Sequence, residues 1–189
     1  QRQMCIRDRM GVRLITLTWN DDNCFGHPHA KDAGRMQLGL TPFGKEAVTY
    51  MTERGILVDV SHLSDGGFYD VAELVRGPFV ASHSNCRELA PATRNLTDDM
   101  IRILAEHGGV CGLNFYPPFL NTDPVDKVSR IERMCEHVKH LVNVGGIECV
   151  GIGTDFDGIE GNLEIADCTD MKKLFDALQK TGFSEDALE

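Results

Sequence analysis

No Cys-x-x-Cys pair occurs in the chain, and its seven cysteines, at 5, 24, 86, 111, 135, 149 and 168, are an odd number. Neither a zinc ribbon nor a disulfide framework is therefore indicated. No apolar run approaches the roughly 18 residues of a membrane span, and no signal-peptide pattern is visible. Basic residues are scarce: 19 Lys and Arg stand against 29 Asp and Glu, for a net charge of −10. A nucleic-acid binder usually carries the opposite footprint. With 42% hydrophobic and 25% charged residues, the composition is that of an ordinary soluble globular protein. Its 189 residues suffice for one well-filled core or part of a larger one. Cys111 and Cys149 fall in apolar strand-like runs, where a thiol behaves as a small inert hydrophobe. A reducing cytoplasm is the expected location.

The segments that are present alternate. Residues 1–9 show neither helical nor strand periodicity and read as a non-native or disordered leader, leaving 10–189 as the carboxyl-terminal portion of a single barrel domain. Gly11 to Trp19 alternates like a first strand, and Asn20 to Leu40 is a long polar loop. Thr41-Pro42 opens a helix, as N-cap and first helical residue, which Gly55 stops. Strand 56–61, a helix from about Ser64 and strand 79–82 follow. Beyond a loop at 84–96, Thr97 caps a helix through about His107, with Asp98 and Asp99 set against its dipole. Strand 109–115, a loop at 116–124, a long helix over 125–144 and strand 149–155 come next. A helix near 170–181 and a second one running to Glu189 close the chain. Single helices between strands mean parallel α/β architecture. Five strands suit a small doubly wound sheet, or five-eighths of a (β/α)8 barrel, which typically takes about 250 residues. The abrupt start and the short last helix favour a partial barrel.

In parallel α/β proteins the carboxyl ends of strands carry ligands and catalytic groups. Two β-branched runs here, Ile56 to His62 and Phe79 to His83, each end in a histidine. Two imidazoles delivered to one rim can share a metal ion, and Asp155, at the end of a third strand, could take a proton from metal-activated water. Trp19, Asn20 and Asn114 also stand at strand ends. Arg94, in the loop after His83, could clamp a substrate carboxylate in bidentate fashion. A lone histidine is as well explained as a hydrogen-bonded strand-end residue, and a lone arginine as a solvated one; the set is what points to a site. His27-Pro28-His29 has metal-pair spacing but lies in a loop, and is set aside. His107, His137 and His140 fall on helices and read as surface residues. Gly151-x-Gly153 lacks the third glycine and helix start of a phosphate cradle. Asp157 reads as turn chemistry that could support Asp155.

Six strings, Thr16-Leu-Thr-Trp-Asn20, Gly39-Leu-Thr-Pro-Phe-Gly44, Val58-Asp-Val-Ser-His62, Ala81-Ser-His-Ser-Asn85, Arg94-Asn-Leu-Thr-Asp98 and Gly153-Thr-Asp-Phe-Asp-Gly158, together resemble the renal (membrane) dipeptidase family of zinc peptidases. They span most of residues 11–160, in order. The resemblance implies a TIM-like barrel of the metal-dependent hydrolase (amidohydrolase) type with a binuclear zinc site acting on dipeptides. It makes His62 and His83 the two histidine ligands of one zinc, Arg94 the holder of the substrate carboxylate and Asp155 the proton-handling aspartate. Trp19 stands where many members carry a substrate-binding histidine, which puts Trp19 and Asn20 beside the substrate. The family's His-x-Asp zinc motif and its bridging glutamate have no counterpart, so the ligands of one zinc are missing. The expectation is an amino-terminally truncated dipeptidase of bacterial type, for which a homodimer is compatible. The alternatives are a non-catalytic barrel homologue that binds or scaffolds, and a related metal-dependent hydrolase of another amide or a lactone.

Overall fold

A computed structural model describes residues 10–123 and 125–188; the leader expected over 1–9 lies outside them. In chain order the elements are β1 (Leu14–Thr16), α1 (Ala33–Met36), α2 (Pro42–Thr52), β2 (Leu57–Asp59), α3 (Asp65–Leu74), β3 (Val80–Ala81), α4 (Asp98–Glu106), β4 (Val110–Leu113), α5 (Pro117–Leu120), β5 (Val128–Ser129), α6 (Ile131–Gly145), β6 (Val150–Ile152), β7 (Asn162–Leu163) and α7 (Lys172–Lys180). The fold is α/β with parallel strands, as the alternation predicts. The chain divides into two compact units, residues 10–82 with 102–110 and residues 83–101 with 111–188.

In the first unit β1 pairs with β2 in parallel, placing Leu14 opposite Leu57 and Thr16 opposite Asp59. β2 then pairs with β3, Asp59 facing Val80. Parallel neighbours need a crossover, and α3 supplies the one between β2 and β3. Thr41 caps α2 by accepting from the Gly44 N–H at 3.0 Å, and Pro42 occupies the first turn. Gly55, at φ 65°, ends that run, the left-handed state glycine takes without a Cβ penalty. Ser64 caps α3, its hydroxyl accepting from Gly67 N at 3.2 Å. Val48, Met51, Val58, Val71 and Phe79 fill the core, where Phe68 meets Phe79 edge-on at 5.6 Å.

The loop over 20–40 is strapped down rather than open. It contains α1, and Pro28 forms an antiparallel bridge with Leu63. The Leu40 N–H reaches Asp70 Oδ2 at 2.7 Å, and Ser64 Oγ donates to the Leu38 carbonyl at 2.7 Å.

In the second unit β4 and β6 run parallel, with Cys111 opposite Val150 and Leu113 opposite Ile152. Their core joins Leu113, Phe115 and Leu120 to Met134, Val138 and Leu174. The long helix expected from 125 begins only at Ile131. Val128 and Ser129 instead pair with Asn162 and Leu163 in a two-stranded parallel ribbon. Asp126 Oδ1 accepts from the Val128 N–H at 3.0 Å, and Asn121 Nδ2 donates to the Val128 carbonyl at 2.9 Å. Side chains that bond nearby backbone in this way compete with the helical ladder. The final helix expected toward Glu189 is a run of turns over 184–188.

Candidate active site

In the first unit β2 runs out at Asp59, and three residues later the chain turns sharply at His62, whose φ is 68°. Left-handed backbone is uncommon outside glycine and persists only where its surroundings hold it. Here the His62 carbonyl accepts from the His29 N–H at 2.7 Å. The half-buried His62 ring sits 6.5 Å from Trp19 and 6.2 Å from His29 between centroids. Its Nδ1 is 3.0 Å from Asn20 Oδ1. An amide oxygen only accepts, so the proton belongs on Nδ1 and the ring's lone pair on Nε2. That arrangement, one ring nitrogen held by an oxygen and the other basic, is the one metal-binding histidines use. Trp19 is 67% exposed, an apolar wall beside the imidazole.

In the second unit His83 follows β3 and is half-buried. Arg94 is only 5% exposed. Its guanidinium donates to the His83 carbonyl at 3.2 Å and to Ser84 Oγ at 3.4 Å, and lies 5.4 Å from the Phe119 ring centroid. These partners are neutral. They hold the guanidinium against the main chain of His83.

Asp155, past the end of β6, also has positive φ, 62°. Asn114, at the end of β4 and fully buried, donates from Nδ2 to Asp155 Oδ2 at 3.2 Å. Asn114 is tied in turn by its own N–H to Asn85 Oδ1 at 2.9 Å, while Asn85 Nδ2 donates to the Asn114 carbonyl at 2.9 Å. The Gly158 N–H closes the turn onto the Asp155 carbonyl at 2.9 Å. A Cβ on Gly158 would stand 2.4 Å from Asp155 Oδ1, so the glycine gives the carboxylate its room.

The first unit thus joins Trp19, Asn20 and His62; the second joins Arg94 to His83, and Asp155 to Asn114. The donor chemistry of two strand-end imidazoles suits a metal ion, and the Nδ1 bond of His62 suits it further. Among the described residues, however, no three His, Cys, Asp or Glu side chains gather as a metal site. His62 and His83 each offer the donor chemistry of a metal ligand, and the described residues do not assemble a complete set.

Residues 5–189 match the membrane dipeptidase family (peptidase family M19). The chain belongs to that family. A Klebsiella pneumoniae protein of uncharacterised role is 34% identical over 186 residues, which are 95% of this chain and 68% of that one. A crystal structure of a metallopeptidase named dipeptidase AC superposes with a TM-score of 0.90 at 33% identity, over 98% of this chain and 55% of that one. A Rhodobacter sphaeroides metallopeptidase, solved with a phosphinate mimic of the dipeptide L-Ala-D-Ala, gives 0.90 and 33% over 98% of this chain and 54% of that one. The chain spans about half the length of these solved relatives.

Within this membrane dipeptidase segment the other histidines depart from the surface reading. His137 is fully buried; its Nδ1 accepts from the Cys86 N–H at 3.2 Å and its Nε2 donates to the Leu120 carbonyl at 3.0 Å. Burial holds its pKa down, from 6.5 to about 4. His107 is half-buried, edge-on to Phe79 at 5.2 Å, and His140 bonds Asp98 at 2.7 Å. His29, set aside as a loop residue, is carried to His62 by the strapped loop. Asp59 and Asn85 stand in two of the family strings with no role of their own there; a carboxylate inside the apolar run Leu57 to Val60 was the available signal for the first.

Proposed function

We propose that this chain is part of a zinc-dependent dipeptidase with a (β/α)8 barrel, a cytoplasmic enzyme for which a homodimer is compatible. The observation that carries the reading is the backbone at His62 and Asp155. Among the described residues these are the two non-glycine positions with positive φ, and both had already been singled out by chemistry. Unfavourable backbone held at strand ends is a mark of functional geometry. Family membership and the likeness to metallo-dipeptidases supply the reaction class. The six described cysteines are free thiols, which supports a reducing compartment.

His62 and His83 would hold the metal, which when bound supplies Lewis acidity toward a peptide carbonyl and a nucleophile at neutral pH. The other roles fall to this chain's own groups. Asp155, oriented by Asn114, takes a proton from the attacking water and returns it to the departing amine. Arg94 receives the free carboxylate of the dipeptide, a bidentate pairing that a guanidinium favours over a point charge. The exposed Trp19 ring borders the substrate beside His62.

Loss of a general acid–base group typically costs about 10²–10⁴-fold in rate. Asp155→Asn should therefore lower kcat for dipeptide hydrolysis by that order while zinc content stays at the wild-type level. Hydrolysis unaffected by the substitution would overturn the assignment of Asp155. A folded, metal-free and inactive protein would instead favour a binding protein that keeps the scaffold alone.

A further inference from the structure

Asp59 ends β2 three positions before His62 and is fully buried. Among the described residues four donors converge on its carboxylate. The Ser61 N–H at 3.0 Å and the Ser82 N–H at 2.9 Å both reach Oδ1. The hydroxyls of Thr16 and Ser82, each at 2.6 Å, reach Oδ2. Ser61 directly precedes His62, and Ser82 directly precedes His83. One oxygen atom therefore holds the main chain immediately before each candidate metal ligand.

We propose that Asp59 is a positioning residue for the His62 and His83 pair, its carboxylate setting both strand-end turns from a single anchor. The inference rests on the metal-ligand reading of those histidines. A buried carboxylate is costly unless its lone pairs are filled, and here β1 and the turns that follow β2 and β3 each contribute a donor. Charge-assisted bonds of this kind are shorter and about twice as strong as neutral ones. Two N–H groups aimed at one oxygen fix both turns relative to it, which independent neutral acceptors would not do. The left-handed backbone at His62 is then pinned from two sides, by Asp59 through Ser61 before it and by the His29 N–H on its own carbonyl. Asparagine in place of Asp59 keeps an acceptor for the amides but turns a donor toward the hydroxyls and removes the charge.

The test compares the wild-type protein, Asp59→Asn and Ser82→Ala by histidine-labelled NMR, far-UV circular dichroism and zinc titration. In Asp59→Asn the secondary structure is kept, and the ring signals of His62 and His83 both shift while those of His27, His107 and His140 stay. Zinc affinity falls about tenfold or more, the range seen when groups behind metal ligands are removed. Ser82→Ala loses a hydroxyl bond but keeps both amides on Oδ1, and leaves both rings in place. Movement of one ring alone, no movement of either, or equal movement in Ser82→Ala overturns the shared anchor. Wild-type zinc binding that is indifferent to His62→Ala overturns the metal reading instead; the ring shifts, which need no metal, still decide the role of Asp59.

Discussion

His62 and Asp155 hold a backbone state that β-branched or bulky neighbours could not share, and each depends on small or polar residues around it. For Asp155 that dependence can be cut cleanly. Gly158→Ala places a methyl 2.4 Å from Asp155 Oδ1, so either the carboxylate or the turn must move. A misplacement of about 1 Å can cost on the order of 10²-fold in rate. The expected result is a folded variant whose kcat for dipeptides falls by that order with little change in KM, checked by steady-state kinetics. Arg94 offers a contrasting case. Its buried guanidinium spans the His83 carbonyl and Ser84 Oγ, and an ammonium cannot reproduce that planar fork. Arg94→Lys should raise KM for dipeptides while leaving kcat nearer its wild-type value, the pattern of lost substrate binding. Neither effect could be foreseen from residue identity alone, because both depend on what packs within a few ångströms.

Element α3 is where the strapped loop is fastened. Ser64 sits fully buried at its N-cap, and its one hydroxyl both accepts from the Gly67 N–H and donates to the Leu38 carbonyl. Two groups lose their partner when it is removed. An N-cap Ser→Ala change typically costs about 1 kcal/mol, and an acceptor left buried adds to that. Ser64→Ala should therefore destabilise the protein by about 1–3 kcal/mol, read as a lower denaturant midpoint with an unchanged m-value. The caps and stops of α2 and α3 were legible in the sequence because Thr41-Pro42, Gly55 and Ser64 act on their own backbone. The start of α6 was not legible. Its periodicity extends back to Val125, but Asp126 and Asn121 divert that backbone into the β5 ribbon, and β7, the partner strand, lies more than thirty residues on.

For the whole molecule, acid is the condition to which the core should be most sensitive. Buried His137 is neutral, since its Nδ1 accepts the Cys86 N–H. Burial, aided by the nearby Arg133 and His140, outweighs the opposing pull of the Leu120 carbonyl and sets the folded pKa at about 4 against 6.5. The folded state thus binds the proton more weakly than the unfolded chain. The stability linked to this group is present above pH 6.5 and is lost as pH falls toward 4; it amounts to about 3 kcal/mol. Melting temperatures between pH 7 and 4 should drop more steeply for the wild type than for His137→Asn. Equal slopes would show that burial of the imidazole does not drive the acid sensitivity.

The sequence by itself determined the parallel α/β class, the family, and the residue types at the strand ends. Those properties follow from local periodicity, from caps and glycines acting on adjacent backbone, and from short strings of chemistry in a fixed order. Tertiary structure decided which groups serve those residues. It brought His29 onto His62, put Asn114 behind Asp155 and enclosed His137 instead of exposing it. It also drew donors from β1 and from the turns after β2 and β3 onto Asp59. The physical reason is separation along the chain: Thr16 and Asp59 are 43 residues apart, and Asn114 and Asp155 are 41 apart. Hydrogen bonds over such distances depend on strand pairing and core packing, which local sequence does not encode.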